Sequence, residues 1–223
     1  MIGNISKAKN MGDDADLNMA LIALSSEDVL TQNEGVAAVI RIGATAVPQL
    51  LRLLEKEEAN RAQVVYALSQ IGDGRAAQKF KEGLRDHDER VRAYAAQGLA
   101  RIGDPQAMAA ALQTLNDAGD ELHLDITPSV QTLGDMGLKA VPSLLELLTN
   151  EDVMTRLHAQ RAFELILARL HGVVPGRGYP SLEAEERMRS EWSANGNYDY
   201  SAPPSDRAVA VEKWRQWLTQ IQE

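Results

Sequence analysis

Apolar positions along the chain follow a helical pattern that recurs about every 30 residues. In its clearest copy, Arg61 is followed by apolar residues three, seven and ten positions on, and a glycine closes the repeat. At 3.6 residues per turn these positions share one face of a helix. A fixed period of this length predicts stacked helix pairs. The copies span residues 32–43, 61–72, 92–103, 126–137 and, without the closing glycine, 156–166.

Each repeat is predicted to form a helix, a tight turn and a second helix. Gly72 and Gly103 follow the last apolar position of a first helix, where a C-cap requires left-handed backbone angles. Asp73 and Asp104 come next and are placed to N-cap the second helix. Pro105 then falls at the first helical position, where its missing N–H costs nothing.

The fourth repeat contains Pro128, which leaves two interpretations. In the first, Pro128 kinks a first helix that runs from about Glu121 to Met136, because a proline removes one backbone hydrogen bond. In the second, the helix starts at Thr127 with Pro128 at its first position. We favour the kink, because the repeat length then stays regular.

The repeat from Asp86 to Ala107 carries a family resemblance. It reads DHDERVRAYAAQGLARIGDPQA and resembles the bacterial HEAT-like repeat of the type named after phycobilisome lyases. The resemblance covers about residues 27–170. It implies an all-α fold, a right-handed α-solenoid of about five HEAT-like helix pairs. Residues 1–26 are then an N-terminal capping segment, and residues 171–223 a divergent C-terminal helical cap.

Aromatic residues concentrate in this C-terminal segment. All three Trp and three of the five Tyr follow residue 175, amid Pro- and Gly-rich loops and helices predicted at 181–193 and 207–220. A solenoid end exposes its last core and needs a cover, so we expect a cap around Phe163 and Ile166. The alternative is a docking site for a partner. The residues concerned are Trp192, Tyr198, Tyr200, Trp214 and Trp217.

Composition narrows the partner class and the setting. The net charge is −9, which lowers the case for nucleic-acid binding. Cys is absent, so disulfides and thiolate metal sites are excluded. Residues 1–16 show no signal peptide, and no stretch approaches a membrane span. We expect a cytoplasmic protein.

Motifs for catalysis are missing from the sequence. The four His have no metal-binding spacing and are expected on the solvated surface. No phosphate-binding glycine loop or nucleophile elbow occurs. We therefore expect no metal, no cofactor and no enzymatic activity.

An acidic or amide residue recurs six positions before a conspicuous arginine. The side chain is expected to cap its own helix, while the Arg reaches the neighbouring repeat's acid through its planar fork. The alternative is an Arg ladder that binds phosphates. Matched acids favour the structural interpretation. The pairs are Glu55–Arg61, Asp86–Arg92 and Asn150–Arg156.

These patterns favour a non-catalytic scaffold or adaptor that binds a protein or peptide on its concave face. The alternative, which the family name implies, is an assembly factor or lyase-type subunit acting on a cofactor- or chromophore-bearing partner. The concave face is formed by the second helices, two and five positions past each first core residue. The candidate residues are Gln49, Arg52, Gln78, Lys81, Leu112 and Glu146, with Ala109 and Ser143 at the same register.

Overall fold

The computed structural model describes residues 15–56, 60–119 and 126–222. The chain divides into two compact units, Met1–Ala110 and Ala111–Glu223, called units 1 and 2 below. Within the described residues the regular structure is helical, apart from one isolated antiparallel bridge between Val174 and Gly178. The predicted all-α fold class is therefore confirmed.

Unit 1 is built from helix pairs joined by short turns. The first helices of successive pairs, α2, α4 and α6, pack side by side, and the second helices α3 and α5 pack against α4 and α6. Helix α7 spans the division between the two units. The helices are α1 (residues 15–24), α2 (Val29–Ile42), α3 (Val47–Leu53), α4 (Arg61–Ile71), α5 (Ala77–Gly83), α6 (Glu89–Arg101) and α7 (Ala107–Gln113).

Unit 2 continues with the same kind of pair and then departs from it. Helix α10 packs against both α8 and α9, as a first helix packs on its neighbours in unit 1. Helix α11 then contacts α10, and α12 contacts α9. The helices are α8 (Pro128–Met136), α9 (Val141–Leu147), α10 (Val153–Leu170), α11 (Leu182–Ala194) and α12 (Pro204–Gln222).

Small residues allow the helices of unit 1 to approach closely. A Cβ atom on Gly98 of α6 would lie 2.5 Å from the ring of Phe80, which is fully buried on α5. A Cβ atom on Gly35 of α2 would lie 2.1 Å from the backbone nitrogen of Leu24. Real Cβ contacts are longer, so both positions require glycine for this packing.

The turns within repeats follow the sequence closely. Gly72 has the left-handed C-cap conformation, with φ 68° and ψ 36°, as predicted. Asp73 accepts a bond from the backbone N–H of Arg75 at 2.9 Å, and it caps a 3₁₀ turn ahead of α5. Asp104 accepts from the N–H of Gln106 at 2.9 Å. Pro105 lies in a turn rather than at the first helical position, because α7 begins only at Ala107.

The favoured interpretation of Pro128 is wrong. Helix α8 begins at Pro128, and Thr127 is its N-cap with extended backbone angles. The Thr127 hydroxyl accepts from the N–H of Val130 at 3.1 Å and donates to the carbonyl of Leu115 at 2.8 Å. These two hydrogen bonds of the Thr127 hydroxyl fix the start of the helix. Pro128 therefore occupies the first helical position, where its missing N–H costs least. Residues 120–125, where the kinked helix would begin, lie outside the described residues.

Candidate binding surfaces

The second helices begin at the first core residue of the predicted apolar pattern or, for α5, one residue after it. Helices α3 and α5 begin at Val47 and Ala77, whereas the apolar pattern had placed the first core residue of the second pair at Ala76. Ala76 is buried, but it is the last residue of the preceding 3₁₀ turn. Counted from the helix start, the third and sixth residues of α5 are Lys79 and Glu82, each one residue after the predicted Gln78 and Lys81.

Within each unit, we call the third and sixth residues of the second helices the second-helix face of that unit. The predicted Gln78 and Lys81 lie one residue before this face, while the other predicted residues lie on it. Arg52 and Glu146 are exposed, and Gln49 and Leu112 are half-buried. The face comprises Gln49 and Arg52 on α3, Lys79 and Glu82 on α5, Ala109 and Leu112 on α7, and Ser143 and Glu146 on α9.

Lys81 forms an ion pair with the next repeat. Its Nζ lies 2.9 Å from a carboxylate oxygen of Asp104, the turn residue of the next repeat. The pKa of Asp104 is lowered by the backbone N–H of Gln106 and then by the Lys81 ammonium. Arg75 works similarly, because its Nη2 bonds both Asp73 and the carbonyl of Ala44 in the preceding repeat. The sequence pattern showed these charges but not their partners.

The predicted arginine ladder is present between two repeats of unit 1. Arg61 forms an ion pair with the carboxylate of Asp86, which lies in the loop of the next repeat. Burial opposes ionisation of Asp86, but the N–H of Asp88 and the Arg61 guanidinium together leave its pKa lowered. Arg92 donates to the carbonyls of Asp86 and His87 in its own loop. The ladder therefore includes backbone acceptors.

The prediction that these residues cap their own helices is wrong: the N-caps lie two residues after Asp86 and Asn150, and the N-cap of α4 is Asn60 rather than Glu55. Asp86 accepts from the N–H of Asp88 at 3.0 Å, and Asp88 is the N-cap of α6. Three repeats share this turn. In each, a short polar side chain accepts a bond from the backbone N–H of the Asp N-cap two residues on. A long side chain at the fourth position of the helix donates to the carbonyl of that short residue. The sets are Ser26, Asp28 and Gln32; Asp86, Asp88 and Arg92; Asn150, Asp152 and Arg156.

Arg156 extends this arrangement to the C-terminal segment. Its Nη1 donates to the carbonyls of Asn150 and Glu151, both at 2.8 Å. Its Nε donates to the carbonyl of Tyr200 at 2.8 Å, and the Tyr200 N–H donates to Oε1 of Gln160 at 2.9 Å. The loop before α12 is thus bonded to α10 through both the N–H and the C=O of Tyr200.

The aromatic residues of the C-terminal segment form one cluster on Phe163. The ring centroid of Phe163 lies 4.7 Å from that of Trp214, 5.9 Å from Trp192 and 6.1 Å from Trp217. Trp214 and Trp217 are buried, and Trp192 is half-buried. The expected packing of Trp214 and Trp217 on Phe163 is therefore present. Docking of a partner by the more accessible Trp192 stays a prediction.

Three polar contacts fix the cluster in place. The buried hydroxyl of Tyr198 donates to the carbonyl of Leu148 at 2.6 Å, and burial raises the pKa of Tyr198 to about 12. Glu191 accepts from Nε1 of Trp217 at 2.6 Å, while its other oxygen lies 2.7 Å from Nε2 of His171. Helices α11 and α12 are thereby joined to each other and to the end of α10.

The histidines correct the expectation that all are solvated. His158 is buried, and its Nδ1 lies 2.7 Å from Oδ1 of Asn116. His171 is half-buried against Glu191. His87 is fully in solvent, as expected. His123 lies outside the described residues. Burial of His158 follows from its place beside Ala159 on the core side of α10, which the spacing of apolar residues could have indicated.

No group of three or more His, Asp or Glu side chains among the described residues is arranged to hold a metal ion. None of the helices in the described ranges combines the length and apolar character needed to cross a bilayer.

Comparison with known families identifies the repeats. A family model of HEAT repeats matches the chain twice, over residues 17–93 and 48–126. This stretch contains the helix pairs of unit 1, so the protein is one that carries HEAT repeats. HEAT repeats generally serve as surfaces for protein interaction. No curated protein matches the chain.

Proposed function

We propose that the protein is a non-catalytic scaffold or adaptor that binds another protein through its second-helix face. The observation that supports this proposal is a difference between the charged side chains of the first and second helices. Arg61, Arg92 and Arg156 of the first helices are engaged in holding loops and repeats together. On the second-helix face, the Arg52 guanidinium and the Glu146 carboxylate make no hydrogen bond or ion pair to any described residue.

The charges of this face suit a protein partner better than a polyanion. In unit 1, Arg52 on α3 is matched by an acid, Glu82, at the equivalent position of α5. In unit 2, the same position of α9 is Glu146. Nucleic-acid binding depends on clustered Lys and Arg that neutralise phosphates. The second-helix face carries no such cluster among its described residues. Charges of both signs complement a protein surface.

Affinity capture with the full chain tests the proposal. The wild type, used as bait in an extract of its native cells, should retain a partner that quantitative mass spectrometry identifies. Arg52→Glu combined with Glu146→Lys should reduce its recovery by roughly tenfold, because both changes reverse charge on the face. Thermal stability should stay unchanged, since exposed substitutions shift the unfolding free energy by only about 0.5 kcal/mol.

The matched control reverses the same charges elsewhere. Glu183→Lys with Arg187→Glu changes two exposed positions of α11 and should leave recovery unaltered. Equal recovery with both double variants would contradict the proposed face. The identity of the partner also bears on the alternative role, because an assembly factor or lyase-type subunit requires a cofactor- or chromophore-bearing protein.

A further inference from the structure

A groove of about 650 Å³ lies between α1 and α2, the first two helices described in unit 1. The two helices approach closely at Gly35, as the Cβ test against Leu24 shows. Small side chains form much of the walls, and they are Ala20 and Ala23 on α1 and Ala37 and Ala38 on α2. Because the distance between packed helices depends on the side chains at their contact, these walls allow another helix to come close.

The α2 wall of this groove is more accessible than the same surface of the next first helix. Ala38 is half-buried and Ala37 is exposed. Ala67, which occupies the position of Ala38 in α4, is fully buried. On the α1 wall, Met19 is 62% exposed. Repeats in a solenoid cover one another, and no described residue covers this apolar surface as a preceding repeat would.

Two charged residues bracket the alanines on α2. Residues 34, 37, 38 and 41 share one face of the helix, because they are spaced by three, four and seven positions from the first. Glu34 and Arg41 are both exposed, and neither forms a hydrogen bond or an ion pair with any described residue. All four residues line the groove, and we call them the α2 stripe: Glu34, Ala37, Ala38 and Arg41.

The α2 stripe complements itself when two copies run antiparallel. With the crossing point between Ala37 and Ala38, Glu34 of each copy lies opposite Arg41 of the other, and the alanines meet at the centre. A parallel arrangement in register would instead place like charges together. A two-fold interface requires this kind of match, because the same surface must bind itself. Met19 of each copy adds apolar surface beside the contact.

We propose that the protein forms a two-fold dimer in which the α2 stripe of one copy packs antiparallel on the α2 stripe of a second copy. Glu34 and Arg41 of the two copies form two symmetric ion pairs. The stripe belongs to a first helix and shares no residue with the second-helix face, so the dimer is tested separately from the scaffold function. A dimer carries two copies of that face and can hold two partner molecules at once.

Sedimentation equilibrium of the full chain measures the dimer directly. Arg41→Glu and Glu34→Arg each bring like charges together at both symmetric contacts, so each should raise the dissociation constant of the wild-type dimer by at least about tenfold. Far-UV circular dichroism of both variants should match the wild type, because both positions are exposed. Arg52→Glu, a charge reversal at an exposed position of α3, is the matched control and should dimerise as the wild type does.

A mixing experiment is specific to the antiparallel arrangement. The Arg41→Glu protein carries an acid at both ends of the stripe, and the Glu34→Arg protein carries an arginine at both ends. Neither should pair with itself, but an equimolar mixture should form a heterodimer with nearly the wild-type affinity. The double variant Glu34→Arg with Arg41→Glu should also dimerise like the wild type, because its ion pairs are restored with the charges exchanged.

Three results would overturn the dimer. The first is a wild type that stays monomeric up to about 100 µM, which leaves the groove to residues 1–14 or to another protein. The second is a wild-type dimer that neither single variant weakens. The third is a pair of single variants that fail to associate with each other on mixing.

Discussion

Trp214 meets Phe163 edge to face, with ring centroids 4.7 Å apart and ring planes at 78°. Both side chains are fully buried, although they lie 51 positions apart in the chain, at 214 and 163. Helix α12 therefore closes over the core side of α10, the last helix that follows the repeat pattern. The aromatic cluster covers the apolar face of α10, as a further repeat would in a longer solenoid.

Truncating Trp214 should strongly destabilise the protein. Trp214→Ala removes the central ring of the cluster, and we expect a loss of about 3–5 kcal/mol in the free energy of unfolding, measured with denaturant. Val209→Ala, on the same helix with Val209 59% exposed, should change it by less than about 0.5 kcal/mol. Similar values for the two variants would mean that the tryptophan is not a structural cap.

The Gly98–Phe80 contact gives a second stability test. Gly98→Ala would place a methyl group inside the Phe80 ring, so overpacking of about 3 kcal/mol should outweigh a gain in helix propensity of about 1 kcal/mol. We therefore expect a net loss near 2 kcal/mol. Gly74→Ala is the control, because nothing lies within 4 Å of a Cβ atom there and its φ is not left-handed. A stabilised Gly98→Ala protein would contradict the packing of α5 on α6.

Local signals in the sequence were sufficient for much of this fold. The glycine at the end of each first helix and the apolar spacing within it depend only on neighbouring residues, and both predicted the structure correctly at Gly72. Pro128 was misjudged because its helix start depends on Thr127, whose hydroxyl bonds a carbonyl twelve residues away. Repeat-length regularity carried no information about that bond.

Pairings between repeats were beyond local reasoning. Lys81 looked like a surface charge because its position follows a polar pattern, but its partner Asp104 lies in the next repeat. At α5 a 3₁₀ turn moves the helix start to Ala77, one residue past Ala76, without changing the apolar spacing.

Arg156 should be sensitive even to a conservative change. Lysine keeps the charge but lacks the planar fork that bonds Asn150, Glu151 and Tyr200 together. Arg156→Lys should cost about 1.5–3 kcal/mol, the usual range for hydrogen bonds to charged groups. Amide hydrogen exchange should also accelerate at Tyr200. Arg187→Lys, at an exposed position of α11, should alter neither quantity.

Asp73 predicts a specific acid sensitivity. The bond from the Arg75 side chain, and then that from its backbone N–H, lowers the pKa of Asp73 to about 2 from its ordinary 3.8. Because the folded-state pKa lies below the unfolded value, this stabilisation is complete above about pH 4 and disappears as the pH falls towards 2. The melting temperatures of wild type and Asp73→Asn should therefore differ at pH 6 and converge near pH 2. A difference independent of pH would contradict the prediction.

The second-helix face is the central claim, and amide hydrogen exchange on the complex with the captured partner tests it most directly. The full chain is compared alone and with saturating partner, peptide by peptide. The account predicts slowed exchange concentrated in α3 and α5 and in the corresponding helix α9, with α11 and α12 unchanged. Protection confined to α11 and α12, with α3, α5 and α9 exchanging as in the free protein, would show that the partner binds the C-terminal segment and would contradict the account.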